Sequence, residues 1–333
     1  MHLQPPPTYS GEMLRSVAAC CLVCAVCLRF EMHAQTLAPL RAAGNLSTIE
    51  LSPLLVAADK IYPGEITVIN GGIPAIMSRM VDVATNAETQ LLRQSVDDPG
   101  LRVIFTVAEG FYRIVARKSA GIHRIEDLKG KRITTPRNTS AHYFLVKMLA
   151  TAHLSETAVT LVTINPSTEM STALKDGRVD AVSMWEPESE RAIAAVGSDA
   201  IVFQDRHVYR ELFNLNTSVE VLADSAKRRA IVELLRSVIA SSEQIRQRPQ
   251  QYWPLIAGKL NYTPETVSKS WPNLRYASGL VPDLLDVMVE EEMWAAKERN
   301  RTPRTRSQLA SLIDRSLLDE AKRMPLASQT KNH

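Results

Sequence analysis

Val81-Asp82-Val83-Ala84-Thr85-Asn86-Ala87-Glu88-Thr89-Gln90 and Val179-Asp180-Ala181-Val182-Ser183-Met184-Trp185-Glu186-Pro187-Glu188 are two versions of one local pattern, with Arg79 and Arg178 just ahead of them. Each reads as a short buried strand that ends and turns straight into a helix. A strand-to-helix exit repeated roughly a hundred residues apart implies two α/β lobes of similar build. In open α/β sheets ligands sit beyond the carboxyl ends of the strands. Both exits are therefore expected to face one shared cleft.

The elements around these exits alternate. Thr48 to Leu51, Glu65 to Ile69, Val81 to Thr85 and Leu101 to Val107 read as strands, and Pro53 to Lys60 and Glu88 to Gln94 as helices. Asn70-Gly71-Gly72 is a turn signal, and Pro74 sits well at a helix start. After Tyr112 to Ala116 comes a second alternating set. In the run Ile125 to Ile133, Gly130 ends a single helical turn, and Arg132 to Thr135 is a strand. Ala141 to Ala152 is a helix, Val159 to Ile164 a strand, Thr168 to Leu174 a helix and Val179 to Met184 a strand. Phe213 to Leu222 reads as the strand that returns to the first lobe. Beyond Ala226 the chain is mainly helical, with Ile231 to Ile245 strongly periodic. A single last helix, Ser307 to Lys322, is expected to dock on the first lobe. Strands alternating with helices imply a largely parallel sheet. The expected division is 45–117 for the first part of lobe 1, 118–215 for lobe 2 and 216–333 for the return and the C-terminal helices.

The N-terminus has the marks of a secretory signal: Leu14 and Arg15, an apolar run from Val17 to Leu28, then Met32-His33-Ala34. Residues 1–34 are the expected signal peptide, cleaved after Ala34, with Met1 or Met13 as the start. The run is short for a bilayer span. All four cysteines, Cys20, Cys21, Cys24 and Cys27, lie inside it. Cys24 and Cys27 have no second Cys pair or His pair to complete a thiolate zinc site. A lipid anchor at Cys20 would leave almost no apolar stretch before it. The mature chain is expected to work outside the cytoplasm without disulfide, thiol, metal or cofactor chemistry, as its core is large enough to do without staples. The net charge of +3, from 39 basic and 36 acidic residues, offers no strong field for nucleic acid or membrane. Arg299, Arg301, Arg304 and Arg306 form a basic cluster without interleaved aromatics, so it reads as solvated rather than as a base-stacking platform.

Several segments carry recognition chemistry. Asn138, Thr139 and Ser140 precede a helix, where free N–H groups and the positive dipole end favour an anion or an acceptor; ordinary N-capping by Thr139 or Ser140 is the alternative. Gly71 and Gly72 offer the same setting in the first lobe, with a plain tight turn as the alternative. Trp185 at the second-lobe exit can stack on a planar ligand or cover an alkyl chain, or belong to the core. Glu186 would repel a sulfonate and welcome an amine or ring N–H, or else satisfy backbone donors at the helix start. Asn86, the counterpart of the Met184–Trp185 region, can both donate and accept. Ser52, at the end of the first expected strand, is a further candidate. His123 and His142 read as structural.

Ile122 to Arg132, the loop at Asn138, Asp176-Gly177-Arg178-Val179-Asp180-Ala181 and Trp185-Glu186-Pro187 resemble the solute-binding proteins of ABC importers for nitrate, sulfonate, taurine and thiamine precursors. The resemblance runs from about Ile49 to Lys322 and is clearest from Val103 to Ala195. It implies a type II periplasmic binding fold, α/β with two lobes and a mainly helical C-terminal extension. It also implies a periplasmic monomer that binds one small solute and passes it to an inner-membrane permease. Two catalytic relatives of that fold remain as alternatives, a fungal thiamine-pyrimidine synthase and the sulfinate desulfinases. Both use Cys-bearing motifs, and this chain has no Cys after Cys27. An effector-sensing domain of a transcription regulator is a third reading; it would need a DNA-binding segment where the signal lies.

Overall fold

The computed structural model describes residues 36–323, together with Gln4. The expected signal run and its cleavage point lie outside the described residues. In chain order the first lobe opens with β1 (Leu40–Gly44), α1 (Ser52–Val56), β2 (Ile66–Asn70), α2 (Ile73–Met77), β3 (Val83–Ala87), α3 (Glu88–Gln94) and β4 (Leu101–Gly110). The second lobe holds β5 (Arg113–Arg117), β6 (Arg132–Thr134), α4 (Ser140–Thr151), β7 (Thr160–Leu161), α5 (Met170–Lys175), β8 (Ala181–Met184), α6 (Glu188–Val196) and β9 (Ala200–Phe203). The chain then returns through β10 (Glu211–Ser218) to α7 (Val219–Ala223), α8 (Ser225–Gln247), α9 (Pro249–Leu260), α10 (Pro264–Ser270), β11 (Leu274–Tyr276), α11 (Leu284–Glu298), α12 (Arg306–Ala310) and α13 (Ser316–Arg323). No helix among the described residues is long and apolar enough to cross a membrane.

The two sheets repeat one plan. The first runs β11-β4-β10-β3-β1-β2 and the second β7-β6-β8-β5-β9. Each has a parallel triplet, β2-β1-β3 or β7-β6-β8, flanked by an antiparallel strand that enters from the other lobe's side of the chain, β10 or β5. Both sheets are therefore mixed rather than largely parallel, because the crossing strands run against the triplets. The sheets change over between Gly110 and Arg113 and again between Phe203 and Glu211. The expected boundaries at 117 and 215 fall a few residues inside the next sheet.

Both faces of these sheets are covered. In β5, Ile114 and Ala116 face one cluster with Ile133, Phe144, Leu145 and Leu149, while Val115 faces another with Val182, Leu174 and Met170. That alternation is the period-two geometry of a strand buried on both sides. In the first lobe, Ile231, Leu234, Leu235, Val238 and Ile245 of α8 supply the helical stripe expected from their spacing. Asp224 caps that helix, accepting from the N–H groups of Ala226 and Lys227. Each fully buried Leu, Ile or Phe contributes about 1.5–3 kcal/mol relative to exposure.

The repeated exits are built by the same hydrogen bonds. Asp82 N–H donates to Arg41 O at 2.8 Å, and Arg41 N–H donates to Asp82 Oδ2 at 2.7 Å. Asp180 N–H donates to Arg132 O at 2.7 Å, and Arg132 N–H donates to Asp180 Oδ2 at 2.9 Å. The side chains follow suit, since Arg41 donates to Arg79 O and Arg132 to Gly177 O. Arg79 and Gly177 both adopt positive φ, 59° and 70°, three residues before the aspartate. The likeness of the two stretches is thus a likeness of structure. Each Asp pins the base of the exiting strand to its parallel neighbour.

Four local expectations are corrected. Residues 48–51 form no strand: Ile49–Leu51 is a 3-10 turn, and the first strand is β1, whose small buried Ala42 and Ala43 carry little β signal. Residues 159–164 keep only the two-residue β7 as strand. Residues 219–223, read as the end of the returning strand, are helical. The last helix is two pieces, α12 and α13. Between them Val103 N–H donates to Leu312 O and Asp314 N–H to Val103 O, so the chain adds a bridge to the part of β4 that the short β11 leaves open. The arginine cluster is also not simply solvated. Arg301 and Arg304 clasp the buried Glu292, Arg304 reaches Ser95 and Leu92 O, and Arg299 reaches Asp97. Burial would raise the Glu292 carboxyl, but these bonds outweigh it and hold it down to about 2.

The shared aspartate contacts predict matched losses. Asp82→Ala and Asp180→Ala each strand a backbone donor, and each is expected to cost about 1–3 kcal/mol in urea unfolding. The two sites share no partner, so the double variant should lose close to the sum. A neutral result at either would show that its clamp does not hold the exit.

Candidate functional site

The two exits and the crossing segments enclose a cavity of about 260 Å³, at the small end for ligand clefts. The first lobe contributes Asn45, Thr48, Glu50, Gly71, Gly72, Pro74, Asn86, Ala87 and Gln90, and β10 adds Glu211 and Phe213. Tyr112, Thr139, Ser140 and Trp185 come from the crossing segment and the second lobe. Two hydrogen bonds bridge the lobes here. Gln90 Nε2 donates to Asn138 O at 3.0 Å, and Thr48 Oγ1 donates to Glu186 O at 3.1 Å.

Six of the nine candidate residues line this cavity: Gly71, Gly72, Asn86, Thr139, Ser140 and Trp185. Asn86 Oδ1 accepts from Ile73 N–H at 2.7 Å, so Nδ2 is what it can offer a ligand. The same amide explains Gly72. A Cβ there would lie 2.2 Å from Asn86 Oδ1, closer than any real contact. At the second-lobe helix neither Thr139 nor Ser140 caps by its side chain. Thr139 Oγ1 donates to Pro136 O at 2.7 Å, and Ser140 Oγ shares a hydrogen with Tyr112 OH at 3.0 Å. Trp185 is half-buried and packs against Tyr112, ring centroids 6.4 Å apart. Its Nε1–H is buried without a partner.

The other three candidates lie outside the lining. Ser52 is wholly buried at the start of α1 and donates to Ile49 O at 2.6 Å; the turn that replaces the expected strand carries it away from the cleft. Asn138, at φ 62°, spends its N–H on His142 Nδ1 and its carbonyl on Gln90. Glu186 faces inward. Its Oε1 accepts from Arg113 Nε at 2.8 Å and from Asn273 Nδ2 at 3.2 Å. Burial pushes its carboxyl up to about 7 against the pull of Arg113. It joins the second-lobe exit to the segment before β11, a structural role.

The charged lining comes from two residues that the sequence reading passed over. Glu50 is 1% exposed and both its carboxyl oxygens lack a partner; Glu211 is 2% exposed and its Oε2 lacks one. A Cβ on Gly110 would stand 2.7 Å from Glu211 Oε2 and 3.2 Å from Glu50 Oε1, so the two carboxyls converge on the same glycine. Burial, with a contribution from Glu186, pushes the Glu50 carboxyl up to about 8. Glu211 is raised well above the ordinary range by burial and then by Glu50 and Glu88, with Tyr112 offsetting part of it. The lining contains no Lys or Arg. The available signal was a carboxylate between apolar residues at Ile49-Glu50-Leu51, and one heading an apolar pair at Glu211-Leu212-Phe213.

Residues 69–247, more than half of the chain, match the family model described as NMT1/THI5 like, and the chain belongs to that family. Its fold is that of periplasmic binding proteins. The alkanesulfonate-binding protein SsuA from Xanthomonas axonopodis pv. citri, bound to MOPS, superposes with a TM-score of 0.69 at 19% identity, over 85% of this chain and 100% of that one. The periplasmic aliphatic sulphonate binding protein SsuA from Escherichia coli gives 0.68 at 14%, over 81% and 91%. The desulfurization enzyme DSZB gives 0.60 at 14%, over 85% and 99%. At these identities the likeness is one of fold. No curated protein matches the chain in sequence.

Two outcomes follow from the site. Trp185→Phe should fold with a midpoint close to wild type and bind the cognate solute at least tenfold more weakly, about 1.4 kcal/mol; unchanged affinity with a clear stability loss would make Trp185 a core residue. The second concerns Glu50. Its raised carboxyl means that the folded state holds a proton that the unfolded chain releases, so stability is full below about pH 4.5 and is lost as pH rises to about 8. Glu50→Gln should therefore raise the melting midpoint at pH 8, with the gain shrinking toward pH 5. A constant difference across that range would contradict the buried proton.

Proposed function

We propose that this chain is the extracytoplasmic solute-binding component of an ABC importer. It captures one small solute between its two lobes and delivers it to an inner-membrane permease, acting as a monomer after residues 1–34 are removed. The observation that carries this reading is the cleft itself. It is lined from both lobes, bridged at Gln90–Asn138 and Thr48–Glu186, and sited at two matching strand exits. Family membership and the shared fold support it.

Solute capture is preferred over catalysis because the chain has no Cys after Cys27, the residue on which the catalytic alternatives depend. The solutes considered from sequence were small organic compounds or oxyanions of the sulfonate, nitrate or thiamine-precursor type. Within that range the absence of any cation from the lining weighs against the oxyanions. An anion would find no Lys or Arg in the lining to pair with it, and an unpaired charge is costly in a low-dielectric site.

Small-angle scattering of the mature protein should show a more compact particle when the right solute is added, and a thermal-shift screen should find that solute by mass action. Steady turnover of a bound compound would overturn the reading. N-terminal sequencing of protein from a periplasmic extract should begin near Gln35; full-length chain in the cytosol would refute export.

A further inference from the structure

We propose that Glu50 and Glu211 form the receptor for the positive end of the cleft's ligand, an organic ammonium or amidinium whose flat or apolar body lies against Trp185 and Phe213. This inference rests on the solute-binding reading and names its substrate class.

Three carboxyl oxygens, both of Glu50 and one of Glu211, are buried beside the cavity without a hydrogen-bond partner. A buried polar group left unmatched costs free energy, and two carboxyls converging on one glycine cost more. The nearby cations do not relieve this. Arg113 is engaged by Glu186 and Glu190, and Arg210 by Glu109 and Asp283. The groups that do face the pair are acidic or phenolic. Glu186 and Tyr276 stand by Glu50, and Glu88 and Tyr112 by Glu211. Behind Glu88 lies Glu291, also buried and raised well above the ordinary carboxyl range by burial and by Glu88. Only protons or a cation from solution can neutralise such a site.

The rest of the lining fits the same guest. Phe213, Trp185 and the edge of Tyr112 supply aromatic surface for a planar or apolar body, and aromatic faces also attract cations. The Trp185 Nε1–H and the Asn86 amide are donors that could meet an acceptor elsewhere on the ligand. The positive end is fixed by the carboxyls.

Capture is therefore linked to proton release. In the empty cleft at neutral pH the pair is protonated to a large extent, as burial dictates. A bound ammonium or amidinium favours the carboxylate form, so a proton leaves to solvent as the ion pair forms. By linkage, release of one proton makes affinity rise about tenfold per pH unit below the pKa of the empty site. The phenols do not share this window, because burial raises Tyr112 and Tyr276 further from neutrality.

The test uses the mature protein and four small probes, benzamidine and benzylamine as cations, benzamide as the neutral isostere and benzenesulfonate as the anion. Calorimetry in two buffers of different ionisation enthalpy, at pH 6 and 8, reads both affinity and protons released. The expected result is binding of a cation with proton release, a rise of at least tenfold in affinity from pH 6 to 8, and at least tenfold weaker binding of benzamide and benzenesulfonate. Glu50→Gln and Glu211→Gln should each cut cation affinity at least tenfold while melting no lower than wild type at pH 8. That combination separates a ligand contact from a structural one. Binding of benzenesulfonate in preference, unaffected by either variant, overturns the ligand class and leaves solute capture standing. Binding of none of the probes also overturns the class, with capture still open to the compaction test. Turnover of a bound cation removes the capture reading but keeps the receptor.

Discussion

The exchange of hydrogen bonds between an aspartate and the strand beside it is the constraint on which the architecture depends. Asp82 and Asp180 each donate and accept across the base of a parallel pair, with Arg41 and Arg132 as their partners. A side chain that satisfies a backbone N–H at the start of a strand fixes where pairing begins, and a strand's beginning sets its register. Register in turn decides which residue stands at the far end, so Asn86 and Trp185 reach the cavity because the aspartates stand at the bases of their strands. Around Asp180, burial would raise the carboxyl, but the Arg132 bonds outweigh it and hold it low.

A second tension is built around the crossing points. Glu88 accepts from Tyr209 OH at 2.5 Å and from Leu212 N–H at 2.8 Å, tying the first-lobe exit to the returning chain. Glu186 ties the second-lobe exit to Arg113 and Asn273. Both occupy the start of the segment after a strand, and both are buried. These two carboxyls hold the junction between the lobes. Glu50 has no donor on either oxygen, and Glu211 lacks one on Oε2, as Glu186 does on its own Oε2. What sets Glu50 and Glu211 apart within this acidic neighbourhood is that they line the cavity, which Glu88 and Glu186 do not.

The fold was legible because the pattern that defines it is local. Val81–Gln90 and Val179–Glu188 carry strand, exit and helix within ten residues each, and the periodicity of α8 is plain in Ile231 to Ile245. Elements failed where tertiary pairing decided the outcome. β1 is built from Ala and Gly beside few β-formers, and the break between α12 and α13 exists only because Val103 offers an open edge. At the site, the residues at chain turns (Gly71, Gly72, Thr139, Ser140) were found because turns have sequence signatures. Glu50 and Glu211 were not, because they lie on distant stretches of the chain and meet only through the neighbourhood of Gly110. Glu186 shows the converse. Its place beside Trp185 was right, but the direction of its side chain was set by Arg113 on a strand that proximity in sequence does not reveal.

The order of strands in the first sheet has a consequence for how the chain is made. Within residues 40–110, β1, β2 and β3 can pair with one another, but β4 has no strand neighbour; its partners are β10 and β11. When the chain emerges N-terminus first, this ten-residue strand must wait for the whole second lobe before it is covered. Closing that gap joins segments about a hundred residues apart, and contacts of such separation slow folding. The second lobe, whose five strands all lie between Arg113 and Phe203, has no such wait. The vulnerable interval in the life of this protein is therefore the one in which the chain emerges N-terminus first, with β4 exposed and β10 yet to arrive.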